Sequence, residues 1–342
     1  MNTRLLFSAF ALIASTAYAQ GPPTPNSVAA ATATAADNSL CATIEPFYWE
    51  IGDMTGTLAS ASVGVDSTGA PVLASTKMDT ASAAKWLYGM YVVQVRGSAA
   101  NLTPTDISFL EMTSGYTNMG NNDSPAGTCP GSDNPDTVAI CLTRHNPANG
   151  LPYDYQDPAT IGFFDYDAGH FENHANLYTA LGNVPKTKLG SVVSSVFGPG
   201  AHYIYTEPLL PGAAYMAPRT YALILQNVVS GALFMHDALG IDPICTYASP
   251  TCNALNSPIP EPWDYSISHW IEDDPAVNGD GAFSAPGGQG FYPWIEASKT
   301  YYGLLARAAE GPQRQGFQSV QCGRLIRHAW DTGIQQWGRI PQ

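Results

Sequence analysis

Ser82 and Lys85, a pair able to open an ester or amide bond, stand three apart in Ala81-Ser82-Ala83-Ala84-Lys85-Trp86. A serine hydroxyl is a weak nucleophile until a base takes its proton. A lysine amine becomes such a base where an apolar setting disfavours its charge. On a helix, residues three apart share one face. Trp86, Leu87, Met90 and Tyr91 supply apolar neighbours, and the run from Lys85 to Gly97 reads as a buried helix closed by a glycine. S-x-x-K alone is a short pattern that arises by chance in many chains, so its meaning rests on what surrounds it.

Other chemistries find less support. No G-x-S-x-G occurs, which disfavours an α/β-hydrolase, and no phosphate-loop glycine pattern is present. No cysteine pair has C-x-x-C spacing, so a structural zinc cluster is a poor reading. His170 and His174 lie one turn apart with Glu172 between them, placed to line a pocket mouth or hold a metal. Asp273, Asp274, Asn278 and Asp280 could bind calcium, although the glycine and proline among them read equally well as a solvated loop. No metal and no cofactor are expected.

Positioning such a pair takes a large core, and the chain of 342 residues is long enough to build one. Residues 1–19 have the form of an export signal. Arg4 precedes an apolar run, Leu5 to Ala14, and Ala17-Tyr18-Ala19 offers a small-x-small cleavage pattern. No later stretch is long enough to span a bilayer. The expected location is periplasmic or secreted. A net charge of −14 argues against nucleic acid or an anionic membrane as partner. Six cysteines in an oxidising compartment suggest three disulfides. Cys129–Cys141 and Cys245–Cys252 would each close a short loop, which leaves Cys41–Cys322 to staple the first structured segment to the last.

Residues 20–40, rich in Pro, Ala, Thr and Asn, read as a flexible lead-in. Phe47 to Ile51 and Gly56 to Val65 read as paired strands. Thr105 to Met112, a stretch near Phe171, and a run from Pro218 read as helices. Asn118 to Gln156 reads as a disulfide-pinned surface excursion, and 240–281 as irregular. Phe291 to Ala297 and Tyr301 to Ala308 read as strands, followed by an amphipathic helix, Phe317 to Gln335. Strands at both ends and helices between them predict one α/β domain over 41–342. Its sheet part would span about 41–70 and 280–342, with a mainly helical insert over 71–279.

The ordered set Ser82-x-x-Lys85, Leu110-Glu111-Met112-Thr113-Ser114-Gly115-Tyr116, Phe164-Asp165-Tyr166-Asp167-Ala168-Gly169-His170 and Gly287-Gly288-Gln289-Gly290 resembles the serine β-lactamase and penicillin-binding-protein superfamily. The likeness is to the branch of class C β-lactamases, DD-peptidases and family VIII-type esterases, and covers roughly residues 45–335. It implies a β-lactamase/transpeptidase-like α+β fold, an antiparallel sheet flanked by helices with an inserted helical region. It further implies Ser82 as the acylated nucleophile, Lys85 as its base, and Tyr166 as the phenol that moves protons with the lysine. A phenol beside a cationic lysine is expected to ionise more easily. Tyr116-Thr117-Asn118 is a literal Y-x-N and the alternative source of that tyrosine. The oxyanion hole would combine the Ser82 N–H with that of Ser284 or Ala285.

Two departures bear on substrate. The asparagine of Y-x-N is replaced in Tyr166-Asp167-Ala168. The cation of the K-T-G strand is missing from Ala282-Phe283-Ser284-Ala285. Both weaken the fit to a carboxylate-bearing β-lactam or D-Ala-D-Ala peptide and leave ester or uncharged amide hydrolysis open. Tyr116, Tyr153, Tyr155, Trp263 and Trp294 would suit an apolar acyl group. A non-catalytic binding protein on the same fold is the competing expectation.

Overall fold

The computed structural model describes residues 24–120, 129, 136–274, 279–308 and 316–339. The proposed export signal lies outside them. Phe47–Asp53 (β1) is buried along nearly its whole length, as befits a central strand with both faces covered. Gly56–Val63 (β2) alternates toward solvent at the sheet's edge. Ile244–Cys245 (β3), Asp264–Ser266 (β4), His269–Glu272 (β5), Ala282–Ser284 (β6), Tyr292–Ile295 (β7) and Tyr301–Ala306 (β8) complete an eight-stranded sheet. Its order is β2-β1-β8-β7-β6-β5-β4-β3, antiparallel throughout.

Two helices, Pro25–Asp37 (α1) and Gly316–Thr332, pack together on one face of this sheet. Pro218–Val229 covers the other. The alternation within and before β7 fixes which face is which. Tyr292 and Trp294 meet Arg327 of the C-terminal helix, while Phe291 meets Tyr221 of the Pro218 helix. Between the terminal strands run Ala84–Arg96 (α2), Pro104–Leu110 (α3) and Gly169–Tyr178 (α4). We number the Pro218 helix α5 and the C-terminal helix α6. All three expected disulfides are present, and Cys41–Cys322 ties the segment before β1 to α6.

Two expectations are corrected. Residues 20–40 are not a flexible lead-in over their described part. Thr24 caps α1, Pro25 occupies its first turn, and Ala30, Ala31, Thr34 and Ala35 are buried beside α6. Small side chains, which read as loop composition, are here what lets two helices approach closely. Residues 240–281 are not simply irregular either. They supply β3, β4 and β5, so the sheet part begins near 244 rather than near 280.

A buried polar chain locks α2 to its neighbours. Tyr88 Oη lies 2.7 Å from His174 Nδ1, and His174 Nε2 lies 3.0 Å from Asp106 Oδ1. Asp106 caps α3 through Thr103 and binds Arg96 at 2.6 Å. Burial pushes the Asp106 carboxyl up, but hydrogen bonds from His174, Arg96 and Thr103 outweigh it and hold the group well below the usual carboxylate range. A second contact sets how close α2 comes to the sheet. A Cβ on Gly89 would stand 2.5 Å from Ser268 Cβ in the β4–β5 turn. Gly→Ala in a helix interior ordinarily stabilises by up to ~1 kcal/mol. Here the clash should reverse that sign. Gly89→Ala is expected to destabilise by about 1–3 kcal/mol, read as a lowered denaturation midpoint in urea.

Candidate active site

Ser82 sits in a single tight turn, Ala81–Ala83, that runs directly into α2. Ala81 holds φ of 46°, a left-handed conformation that costs a non-glycine residue about 1–3 kcal/mol and is kept only where surroundings impose it. The surroundings are visible. The turn after β6 presses on this segment so tightly that a Cβ on Gly287 would lie 2.2 Å from the Thr80 carbonyl oxygen.

Lys85 is 3% exposed. Its Nζ lies 3.2 Å from Ser82 Oγ and 3.2 Å from the Pro211 carbonyl oxygen, and 4.5 Å from the centre of the Tyr166 ring. Burial brings its pKa down to about 7, against the opposing pull of Asp167 and Glu172. A neutral amine has two N–H groups and one lone pair. The Pro211 carbonyl takes one N–H, which leaves the lone pair available for the Ser82 proton.

Tyr166 enters the site from a short strand, Phe164–Asp165, that precedes α4. Its backbone N–H donates to the Asn256 carbonyl at 3.1 Å, and its ring stacks on Trp270 at 5.5 Å. Burial raises the phenol above its ordinary value, and a hydrogen bond with Ser82 offsets this only in part. The expectation that Lys85 would ease ionisation of the phenol is thus corrected. Desolvation dominates, so the phenol keeps its proton and the amine is the group that loses one.

Tyr116 stands elsewhere. Its ring stacks on Phe109 at 5.3 Å, beside Tyr178. Asn118 of that literal Y-x-N is consumed by its own loop, with Nδ2 donating to Leu151 and Pro152 carbonyls and Oδ1 accepting from Asn149. Of the other aromatics expected to line a pocket, Tyr153, Trp263 and Trp294 are buried in the core. His170 and His174 do not reach a pocket mouth. His170 is fully buried between Ser114 and the Asp165 carbonyl, and burial drops its pKa to about 3. Among the four residues weighed for calcium, Asp280 is bound by Arg327 and Asp273 accepts the Asp264 N–H, while Asn278 lies outside the described residues. In Tyr166-Asp167-Ala168, Asp167 fastens the loop before it by accepting the N–H groups of Met119, Gly120 and Gly169.

The oxyanion expectation is corrected by strand parity. Ala285 N–H donates to the Pro293 carbonyl at 3.2 Å, and Gly287 N–H to the Phe291 carbonyl at 2.7 Å. Both are therefore spent on the β7 side. Successive residues of a strand direct their amides to opposite edges. The amide between them belongs to Pro286, whose nitrogen carries no hydrogen. Ser284 faces the same edge as Pro286 but is paired in register with Trp270 of β5. Ser82, in the first turn of its helix where N–H groups lack intrahelical partners, remains as a donor. Pro211, Pro286 and Glu172 were not foreseen as site residues. Only Glu172 carried a signal, as an acid inside an aromatic-rich helix.

No family model matches the sequence, and no curated protein matches it. Solved structures do match in fold. A family VIII carboxylesterase aligns with a TM-score of 0.54 at 11% identity, over 89% of this chain and 99% of its own. LovD, simvastatin synthase of Aspergillus terreus, aligns with 0.53 at 12%, over 90% and 99%. A penicillin-binding protein from Bacillus halodurans aligns with 0.52 at 11%, over 81% and 94%. The chain has the β-lactamase/transpeptidase-like fold.

The two tyrosines give opposite expectations. Tyr166→Phe should slow acylation of Ser82 by roughly 10²–10⁴-fold. Tyr116→Phe should leave it within about twofold, because its hydroxyl is not part of the pair's surroundings. Rates of covalent modification measured by intact-protein mass spectrometry separate these outcomes.

Proposed function

We propose that this protein is a serine hydrolase that works through an acyl-enzyme on Ser82 and cleaves esters or uncharged amides. The observation that carries the reading is a buried amine, with a pKa near neutrality, 3.2 Å from a serine hydroxyl. Neutral Lys85 takes the Ser82 proton as Oγ attacks the carbonyl carbon. The charge that develops on the carbonyl oxygen meets the Ser82 N–H. The Tyr166 phenol delivers a proton to the departing oxygen or nitrogen and is recharged from Lys85. Water then repeats the sequence on the acyl-enzyme, with Oγ as leaving group. The family VIII carboxylesterase supports ester chemistry on this fold. β-Lactamase or D-Ala-D-Ala carboxypeptidase activity ranks second, since neither Ala282 nor Phe283 offers a cation for a substrate carboxylate. Three disulfides among the described residues support a secreted or periplasmic location.

One observation favours a non-catalytic binding protein: Pro286 occupies the strand position that would supply the second oxyanion N–H. Losing one such donor costs about 10²–10³-fold in turnover. A slow enzyme and a binder are separable. A fluorophosphonate probe should label the wild type and not Ser82→Ala, and its rate should rise with pH through a midpoint near 7, as Lys85 loses its proton. Pro286→Ala should raise that rate by about tenfold or more. A folded wild type that takes no label at any pH would leave the binding reading standing. p-Nitrophenyl esters, nitrocefin and D-Ala-D-Ala peptides, each run against wild type and Ser82→Ala, would then rank substrates.

A further inference from the structure

Behind Lys85 lies a second buried titratable group. Glu172, on α4, is fully buried. One of its oxygens accepts the Leu210 N–H. The next residue, Pro211, gives its carbonyl to Lys85 Nζ. The two-residue segment Leu210–Pro211 thus has its leading N–H held by the acid and its closing C=O held by the amine. The second carboxyl oxygen, Oε2, has no hydrogen-bond partner among the described residues, and neither do the phenol oxygens of Tyr203 and Tyr205. Those two rings meet edge to face at 5.6 Å, and Tyr205 feels the charge of Glu172. Buried polar atoms without partners are uncommon, and a free Oε2 on a buried carboxyl marks a group that can gain or lose a proton without breaking a hydrogen bond.

We propose that Glu172 is a positioning residue for the acylating pair. It holds the Leu210–Pro211 turn against Lys85 and sets a titratable carboxyl beside the amine. The proposal rests on the Ser82–Lys85 reading above. The groups that face Lys85 are Ser82 on its own turn, Tyr166 and Asp167 ahead of α4, Glu172 on α4, and the Pro211 carbonyl. Those that face Glu172 are Lys85 and Tyr88 on α2, Tyr205, and the Leu210 N–H. Burial raises the acid to about 8, close to the amine's value of about 7. Two groups so matched lose their protons as a pair. A carboxylate at 172 favours the charged amine, so deleting the carboxylate must make Lys85 give up its proton more readily.

The chain has five lysines, at 77, 85, 186, 188 and 299, so ¹³Cε-lysine NMR can follow each. The Lys85 signal is assigned by its loss in Lys85→Arg. In the wild type it should titrate in two steps. In Glu172→Gln, whose amide oxygen can still accept the Leu210 N–H, it should titrate in one step, lower by roughly half to one pH unit. In Glu172→Ala the turn loses its anchor, and fluorophosphonate labelling of Ser82 should slow by about tenfold. An unchanged Lys85 titration in folded Glu172→Gln overturns the proposal, whatever the labelling shows. If Lys85 responds to Glu172→Gln while the wild type never takes the label, the coupling stands and the hydrolase reading falls.

Discussion

An ammonium group buried with no carboxylate in contact is among the more costly things a protein interior can hold, and Lys85 is placed to avoid being one. Asp167 and Glu172 lie near enough to act on it through space, but neither is in contact with it. The groups that do touch it are a serine hydroxyl, a peptide carbonyl and an aromatic face. All three suit a neutral amine as well as a charged one. Burial therefore resolves itself by moving the proton equilibrium rather than by recruiting a counter-ion. A lysine with a carboxylate at hydrogen-bonding distance would be a stable cation and no base. Much of the local architecture follows from keeping the acids back. Asp167 is turned onto three backbone N–H groups, and Glu172 onto the Leu210 N–H.

Such a pair works only if its helix does not move. Ser82 and Lys85 lie on one continuous stretch, the Ala81–Ala83 turn and the start of α2, but their partners come from elsewhere: Tyr166 from the approach to α4, Pro211 from a loop, Gly287 from the turn after β6. The Tyr88–His174–Asp106–Arg96 chain joins α2 to α3 and α4 through groups that have no other role in view. On the opposite side, Gly89 brings α2 against the β4–β5 turn, and Trp270 of β5 stacks on Tyr166. The histidines weighed as pocket or metal residues are thus part of the framework, and their low proton affinity is the consequence of burial.

What the sequence made legible were features set by local spacing or by simple elimination. Ser82 and Lys85 share a face because of helical geometry, and two cysteine pairs close loops of 12 and 7 residues, which leaves Cys41 for Cys322. The long strands β1, β2 and β8 have enough residues to show a pattern. β3, β4 and β5 have between two and four each, too few for any periodicity to register. Motif order favours Tyr166 over Tyr116, but no spacing rule says where either ring goes. The structure places Tyr166 beside Lys85 and Tyr116 against Phe109, with Asn118 of the literal Y-x-N bonded within its own loop, a fact of tertiary contact. Likewise no spacing rule announces that Pro211 will offer its carbonyl to a lysine 126 positions earlier.

The oxyanion side shows most clearly where reading by alignment gives out. Side-chain motifs such as K-T-G are carried by residue type, but the donor that matters there is a backbone N–H, and which residue presents it depends on strand register. With Ala285 and Gly287 committed to β7, the open position falls on Pro286. The same short strand carries no cation, since Ala282, Phe283 and Ser284 are all uncharged. Both features sit on β6 or immediately after it. The Ser82–Lys85 contact and the Tyr166 ring beside the amine belong to other elements, the turn into α2 and the approach to α4. A buried amine with no bonded counter-charge carries its desolvation cost, and at Lys85 that cost is met by moving the proton equilibrium toward neutrality beside a serine.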